Sequence, residues 1–523
     1  MKVYKGDIIT VNSRDDRFKY LVEDEGKIVY TGNELPQKYS DADVVDLGNG
    51  ALLPTFVDTH GHFSSYAMLA TTLKLDKCES NSEMIELIKE RNRELPAKKT
   101  LLCFGASPKV KEEILISKKD IDPVVPNRNV VIICGDGHTA VMNSLADSKM
   151  PDVVHKTNGY DAENGWFMHE SFMKAVDKIL NVVSAADALQ AFQEALDVYT
   201  ESGFGLVCCE SGTGFPLDLD IELVKWLYRG QNSGLQVRLF IQSYDIKKAK
   251  RRGITRLGGC FKCALDGSIT SADAAFSEPY MGTDNNGILF YTDDELYEKI
   301  KAIHLAGLSY QMHAIGDRAV MQAARTYKRV LDEYPRENHR HGIIHATLVP
   351  DEAMDIIKKY NLQIIGQPIF MMLAAEHPEF MMGRLGEKRA EKAEPYNEFL
   401  NRGIMFSCSS DCPVSFPDGF SWINAMVNNP NEAHRVSLTQ AIRCCTYNGY
   451  YNTFDEDKRG SLETGKIADM IIVDKSPYDI PADELDNIKV VSTILAGKTW
   501  KKENKRVLGT LIKGMFVGKE KKL

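Results

Sequence analysis

No window of the chain approaches the roughly 18 uninterrupted apolar residues that a membrane-crossing helix needs. Its apolar runs, such as Val130–Cys134 and Leu206–Cys209, are far too short, so no membrane partner is expected. A basic face is missing too. The 73 acidic and 64 basic side chains are mixed along the sequence to a net charge of -9, which argues against a nucleic-acid partner. The basic run Lys513–Leu523 reads as a solvated tail. No charged and then apolar leader precedes the first strand-like segment, so the expected compartment is cytoplasmic. Internal repeats and low-complexity tracts are absent, which excludes solenoids and linker arrays. The eleven cysteines are odd in number and lack the paired CxxC spacing of a zinc ribbon. Cys260 and Cys263 form a lone CxxC, and Cys134, Cys208, Cys209 and Cys408 sit in apolar runs, so packing is their expected role.

What is present is ordinary globular composition: 523 residues, 43% hydrophobic and 26% charged, enough for a large core. The first fifty residues alternate like short strands broken by turns, and Ala468–Asp474, Val490–Leu495 and Thr510–Val517 repeat that character. Residues 1–52 with 456–523 are therefore expected to form one composite β-sandwich. Between them, apolar runs alternate with helical stretches such as Met84–Leu95, Ala185–Tyr199, Asp294–Ala306 and Arg318–Glu333, the pattern of a parallel α/β core. Candidate strands are Val130–Cys134, Gly205–Cys209, Val237–Gln242, Phe261–Leu265, Ser309–His313, His341–His345, Leu362–Gly366 and Ile404–Cys408. Eight such strands suit an α/β fold of the (β/α)8 TIM-like barrel type over residues 53–455, with an insertion near the barrel mouth within about 68–177.

The sharpest local signal is Pro54-Thr55-Phe56-Val57-Asp58-Thr59-His60-Gly61-His62, an apolar strand ending in two histidines. Residues two apart in extended backbone face the same side, so His60 and His62 can offer imidazoles to one metal ion. His313, His345 and Asp411 each end a later predicted strand. In a parallel barrel those ends converge on the face that carries active sites.

This set, a His-x-His after the first strand, single histidines after the fifth and sixth and an aspartate after the eighth, resembles the amidohydrolase superfamily. Lys262-Cys263-Ala264-Leu265-Asp266-Gly267-Ser268, Ser271-Ala272, Pro279-Tyr280, Asp136-Gly137-His138, His313-Ala314-Ile315-Gly316-Asp317 and Gln367-Pro368 are similar to elements of the branch that includes N-substituted formamide deformylases. Gly460–Asp469 resembles the family's closing β segment. The sequence departs from the branch at Ile344, at Thr347-Leu348, at Ser409-Ser410 and at Cys209-Glu210, where a His-Asp-like pair is common. The resemblance implies that His60 and His62 bind one metal and His313 and His345 a second. Lys262, carboxylated by carbon dioxide, would bridge them; unmodified Lys262 would instead pair with an acid such as Asp266. It further implies a metal role and a proton-shuttling catalytic role for Asp411, and substrate contacts from His138 and Gln367.

The expected activity is hydrolysis of a carbon–nitrogen bond, amide or cyclic amide, in a small organic substrate by metal-activated water. One or two divalent ions are expected, with zinc the best match to histidine and oxygen donors. Phe63, Tyr66, Trp166 and Phe370 are candidate pocket walls, and a homodimer is the expected assembly. The alternatives are a non-catalytic small-molecule-binding barrel, or a metal-dependent isomerase or lyase on the same site.

Overall fold

A computed structural model describes the chain except residues 71, 107–114, 136–138, 177, 179–182, 214–215, 261–262, 374–376, 503–506 and 519–520, and except the side chains of residues 70, 169, 173, 185 and 216. His138 and Lys262 therefore lie outside the described residues.

Eight parallel strands pair in chain order: β1 (Phe56–Asp58), β2 (Phe204–Ser211), β3 (Gln236–Ile241), β4 (Arg256–Gly259), β5 (Ser309–Ala314), β6 (Gly342–His345), β7 (Gln363–Gly366) and β8 (Met405–Cys408). The seam between β8 and β1 is bridged by Thr59, whose amide and hydroxyl both donate to the Cys408 carbonyl at 3.3 and 2.8 Å. This is the expected barrel with two strands reassigned. Val130–Cys134 pairs elsewhere and the short Phe56–Asp58 takes its place, while the fourth strand is Arg256–Gly259 and not Phe261–Leu265. Helices pack outside through one apolar face. In Asp317–Glu333, Val320, Ala323, Ala324, Tyr327, Val330 and Leu331 are buried, the three-to-four-residue recurrence of a core-facing helix. Thr292 and Glu295 close a reciprocal capping box at the start of Asp293–Leu305.

Both chain ends meet in one seven-stranded sheet. Its order runs Lys498–Thr499, Val490–Leu495, Met470–Val473, Asp43–Pro54, Lys2–Ile9, Arg17–Asp24, Lys27–Gly32. Successive residues such as Val3 and Tyr4 join different apolar clusters, one on each face. Val130–Cys134 lies instead in a six-stranded sheet spanning Leu73 to Met168, inserted between β1 and β2, with its own core around Met84, Ile88, Leu101, Cys103 and Ile132. That insertion touches the barrel mouth where Phe104 meets Phe416, in the loop after β8, at a ring separation of 6.2 Å.

The C-terminal segment corrects two expectations. Thr510–Val517 is not a strand: Val507–Phe516 is a helix that buries Val507, Thr510, Leu511 and Gly514. Its glycine serves close packing, since a Cβ on Gly514 would sit 1.7 Å from the Trp226 carbonyl. The final residues are docked through their backbone and Leu523 is buried, while Lys513 and Lys522 keep exposed side chains. The Lys522 and Leu523 carbonyls accept from the buried guanidinium groups of Arg238 and Arg256 at 2.9 and 3.0 Å. Among the described residues, no helix is long and apolar enough to cross a membrane.

Candidate metal centre

The C-terminal ends of the barrel strands bring His60, His62, His313, His345 and Asp411 together. His60, His62, Cys260 and Asp411 each contribute a donor atom, all within 4.8 Å of one another, and Cys260, His313 and His345 form a second such set. The rings of His313 and His345 lie 4.6 Å apart, and those of His60 and His62 5.2 Å.

Local structure aims each ring. His60 Nδ1 lies 3.2 Å from Glu210 Oε1 on β2. His345 Nδ1 lies 2.8 Å from Gln367 Oε1 after β7. His313 Nδ1 lies 3.4 Å from Asp266 Oδ1, close enough for charge attraction though not aligned as a hydrogen bond. With Nδ1–H turned to these partners, Nε2 of each ring is left for a cation, the second tier of contacts that metal-ligating histidines carry. Asp266 is itself held by amides of Ala275, Ile315 and Gly316 at 2.8–3.0 Å. Gln367, expected at the substrate, also positions a ring: its Nε2 donates to Ser409 Oγ at 2.8 Å while its Oε1 holds His345.

Asp411 Oδ1 sits 3.1 Å from His60 Nε2 and 3.2 Å from His62 Nε2. His60 thus has a carboxylate at each ring nitrogen, Glu210 on one side and Asp411 on the other. A neutral imidazole can donate to only one of them. Holding both contacts takes one further proton, on the ring or on a carboxyl, or a metal ion between His60 and Asp411. The residues therefore fit a divalent cation, whose binding requires neutral histidine and ionised carboxylate.

The same need appears in the protonation equilibria. Burial alone would lift the Asp411 carboxyl, but hydrogen bonds from His60 and His62 overcome it and hold it well below the usual range. Burial would lower the His62 imidazole, but Asp411 and Cys260 lift it to about 9. His60 is raised in the same way, by Cys260, Asp411 and Glu210 against burial. Burial raises the Glu210 carboxyl, only partly offset by His60.

Backbone strain concentrates here. His345 and Asp411 adopt φ of 69° and 50°, a left-handed conformation costing on the order of 1–3 kcal/mol each. Asp58, two residues before His60, helps to hold it: the fully enclosed carboxylate accepts from the Ser410 amide and hydroxyl at 3.0 and 2.6 Å and from Tyr199 OH at 2.7 Å. That latch ties the end of β1 to the loop carrying Asp411. Burial raises its carboxyl to about 6.

Sequence reasoning missed Asp58, Glu210 and Cys260. Asp58 shares the strand face of His60 and Glu210 stands in a noted departure, so both had a signal. Cys260 was hidden by placing the fourth strand at 261–265; with the strand ending at Gly259, Cys260 takes the position at a strand end from which site residues project. Of the expected walls, Phe370 stacks on the His345 ring at 6.4 Å, whereas Phe63 and Tyr66 are core residues packed on Tyr199, and Trp166 lies in the inserted sheet. All eleven cysteines are buried, and no disulfide joins them among the described residues.

The model of the amidohydrolase family matches residues 43–500. A putative amidohydrolase, YtcJ of Bacillus subtilis (strain 168), is 25% identical over 94% of this chain and 98% of its own length. The N-substituted formamide deformylase of Arthrobacter pascens is 20% identical over 95% of this chain and 97% of its own. The crystal structure of an uncharacterized metal-dependent hydrolase from Pyrococcus furiosus superposes with a TM-score of 0.74 at 25% identity, covering 91% of this chain and 99% of that one. With a match over most of its length, this chain belongs to the amidohydrolase family.

Proposed function

We propose that the protein hydrolyses a carbon–nitrogen bond, amide or cyclic amide, in a small organic substrate, using one or two divalent ions, zinc above others. The observation that carries this reading is Asp411 Oδ1 lying 3.1 and 3.2 Å from the Nε2 atoms of His60 and His62, at the barrel end that also gathers His313 and His345. When bound, a divalent ion there supplies Lewis acidity that polarises a carbonyl and acidifies water. Asp411, ionised and set beside His60 and His62, takes the proton from the attacking water on its carboxylate. It then returns that proton to the departing nitrogen, which would otherwise leave as a poor, anionic leaving group. The β1–β8 latch through Asp58 keeps Asp411 at that distance from His60. A carboxylated Lys262 and a substrate contact from His138 belong to the same reading on the family resemblance.

The test has two parts. Elemental analysis of the purified protein should give near-stoichiometric transition metal, lost in a His60→Ala/His62→Ala double variant. A screen of N-formyl, N-acyl and cyclic amides in 18O-labelled water should place one label in the carboxylate product. A parent that stays metal-free after refolding with metal refutes the reading, and turnover without label moves it to an isomerase or lyase.

A further inference from the structure

The two donor sets at the barrel mouth share one atom, Cys260 Sγ. It lies 3.5 Å from His60 Nε2 in the first set and 3.8 Å from His345 Nε2 in the second. Local sequence puts it there. Gly258 and Gly259 end β4 with φ of 119° and 115°, values that L side chains rarely adopt. A Cβ on Gly259 would stand 2.3 Å from Glu210 Oε2, and one on Gly258 would stand 2.1 Å from the Gln311 carbonyl. A glycine pair lets β4 approach β5 and Glu210 closely and set Cys260 between the two histidine pairs. The other cysteines near the centre lack such a place: Cys412 Sγ is 3.2 Å from Tyr199 OH, and among the described residues neither it nor Cys263 joins a donor set.

We infer that Cys260 is a metal ligand of this centre, its sulfur shared between the His60–His62–Asp411 side and the His313–His345 side. This rests on the metal-dependent reading above and deepens it. On binding, the thiol releases its proton to solvent as the sulfur–metal bond forms, which adds one negative charge to those of Asp411 and of a carboxylated Lys262. A soft thiolate beside imidazoles favours zinc or cobalt and disfavours magnesium and manganese. The centre would then discriminate among metals more sharply than one built from histidine and oxygen alone.

Cobalt(II) loaded into the apoprotein reports thiolate ligation directly, through a sulfur-to-cobalt charge-transfer band in the near ultraviolet. The parent should show the band, Cys260→Ser should lose it, and Cys412→Ser should keep it, with metal content measured on each sample. X-ray absorption of the zinc-loaded parent should show a sulfur neighbour at about 2.3 Å. Metal bound with no band and only nitrogen and oxygen neighbours overturns Cys260 ligation and leaves the metal-dependent reading standing. No metal bound at all overturns both. If circular dichroism shows that Cys260→Ser does not fold, Cys260→Ala and the parent's absorption edge with Cys412→Ser decide: a sulfur neighbour and a band that survive in Cys412→Ser support the assignment, and their absence refutes it.

Discussion

Glu210 offers a perturbation whose sign differs between the empty and the loaded protein. Its carboxylate is fully enclosed, with Oε1 3.2 Å from His60 Nδ1 and Oε2 without a hydrogen-bond partner among the described residues. Burial raises its carboxyl, so its ionised form is a cost in the apoprotein. A cation on His60 Nε2 reverses that, because the ring then carries positive charge toward Glu210. Glu210→Gln keeps the shape and an acceptor for Nδ1–H but removes the charge. Loss of such a second-tier carboxylate lowers metal affinity by roughly 10- to 100-fold, which is about 1.4–2.7 kcal/mol. The apoprotein should melt at the same temperature or higher, while the stabilisation by saturating metal shrinks by about that free energy at fixed free metal. Chelator competition gives the affinity and thermal melts with and without metal give the rest. An unchanged affinity, or an apoprotein destabilised as much as the loaded one, would refute the orienting role.

Three further outcomes follow from the same structure. Asp411→Asn should retain the fold and lose on the order of 10²–10⁴ in turnover, measured at saturating substrate once one is found; near-parental turnover would remove the proton shuttle. His339 is held by burial at about 4, against 6.5 unfolded, and burial lowers His304 and His341 as well. The unfolded chain therefore binds protons first, so stability is complete above about pH 6.5 and falls as pH drops toward 4, by about 3 kcal/mol from His339 alone; melting midpoints flat across that window would contradict this. Asp455 accepts two hydrogen bonds from the buried Arg238 at 2.7 and 2.9 Å, so Asp455→Asn should cost about 3–5 kcal/mol in denaturant unfolding by leaving an uncompensated charge, and a loss under about 1 kcal/mol would show the pair to be replaceable.

The barrel was legible because its determinants are local. Helices such as Asp317–Glu333, with 17 residues, and buried strands such as Gly342–His345, with 4, carry their period or their apolar run within one segment. Errors arose where local signals coincide. Val130–Cys134 reads as a fully buried strand in either sheet, since pairing partners do not change its composition. The apolar strand before His60 was read as such but left out of the eight, and its regular part is only Phe56–Asp58. Glycines in Val507–Phe516 read as strand punctuation, although Gly514 admits the carbonyl of a neighbouring helix.

Sequence by itself determined the donor types: histidines two apart on a strand, and single histidines and an aspartate at later strand ends, because strand alternation and parallel closure follow from backbone geometry. Tertiary structure decided what those donors face. Glu210, Gln367 and Asp266 come from other strand ends or loops to hold the rings, and the Gly258-Gly259 bend carries Cys260 between the two histidine pairs. Such contacts join residues up to 351 positions apart, as in His60 and Asp411. They depend on which strand lies beside which, a property of the closed sheet and not of any segment within it.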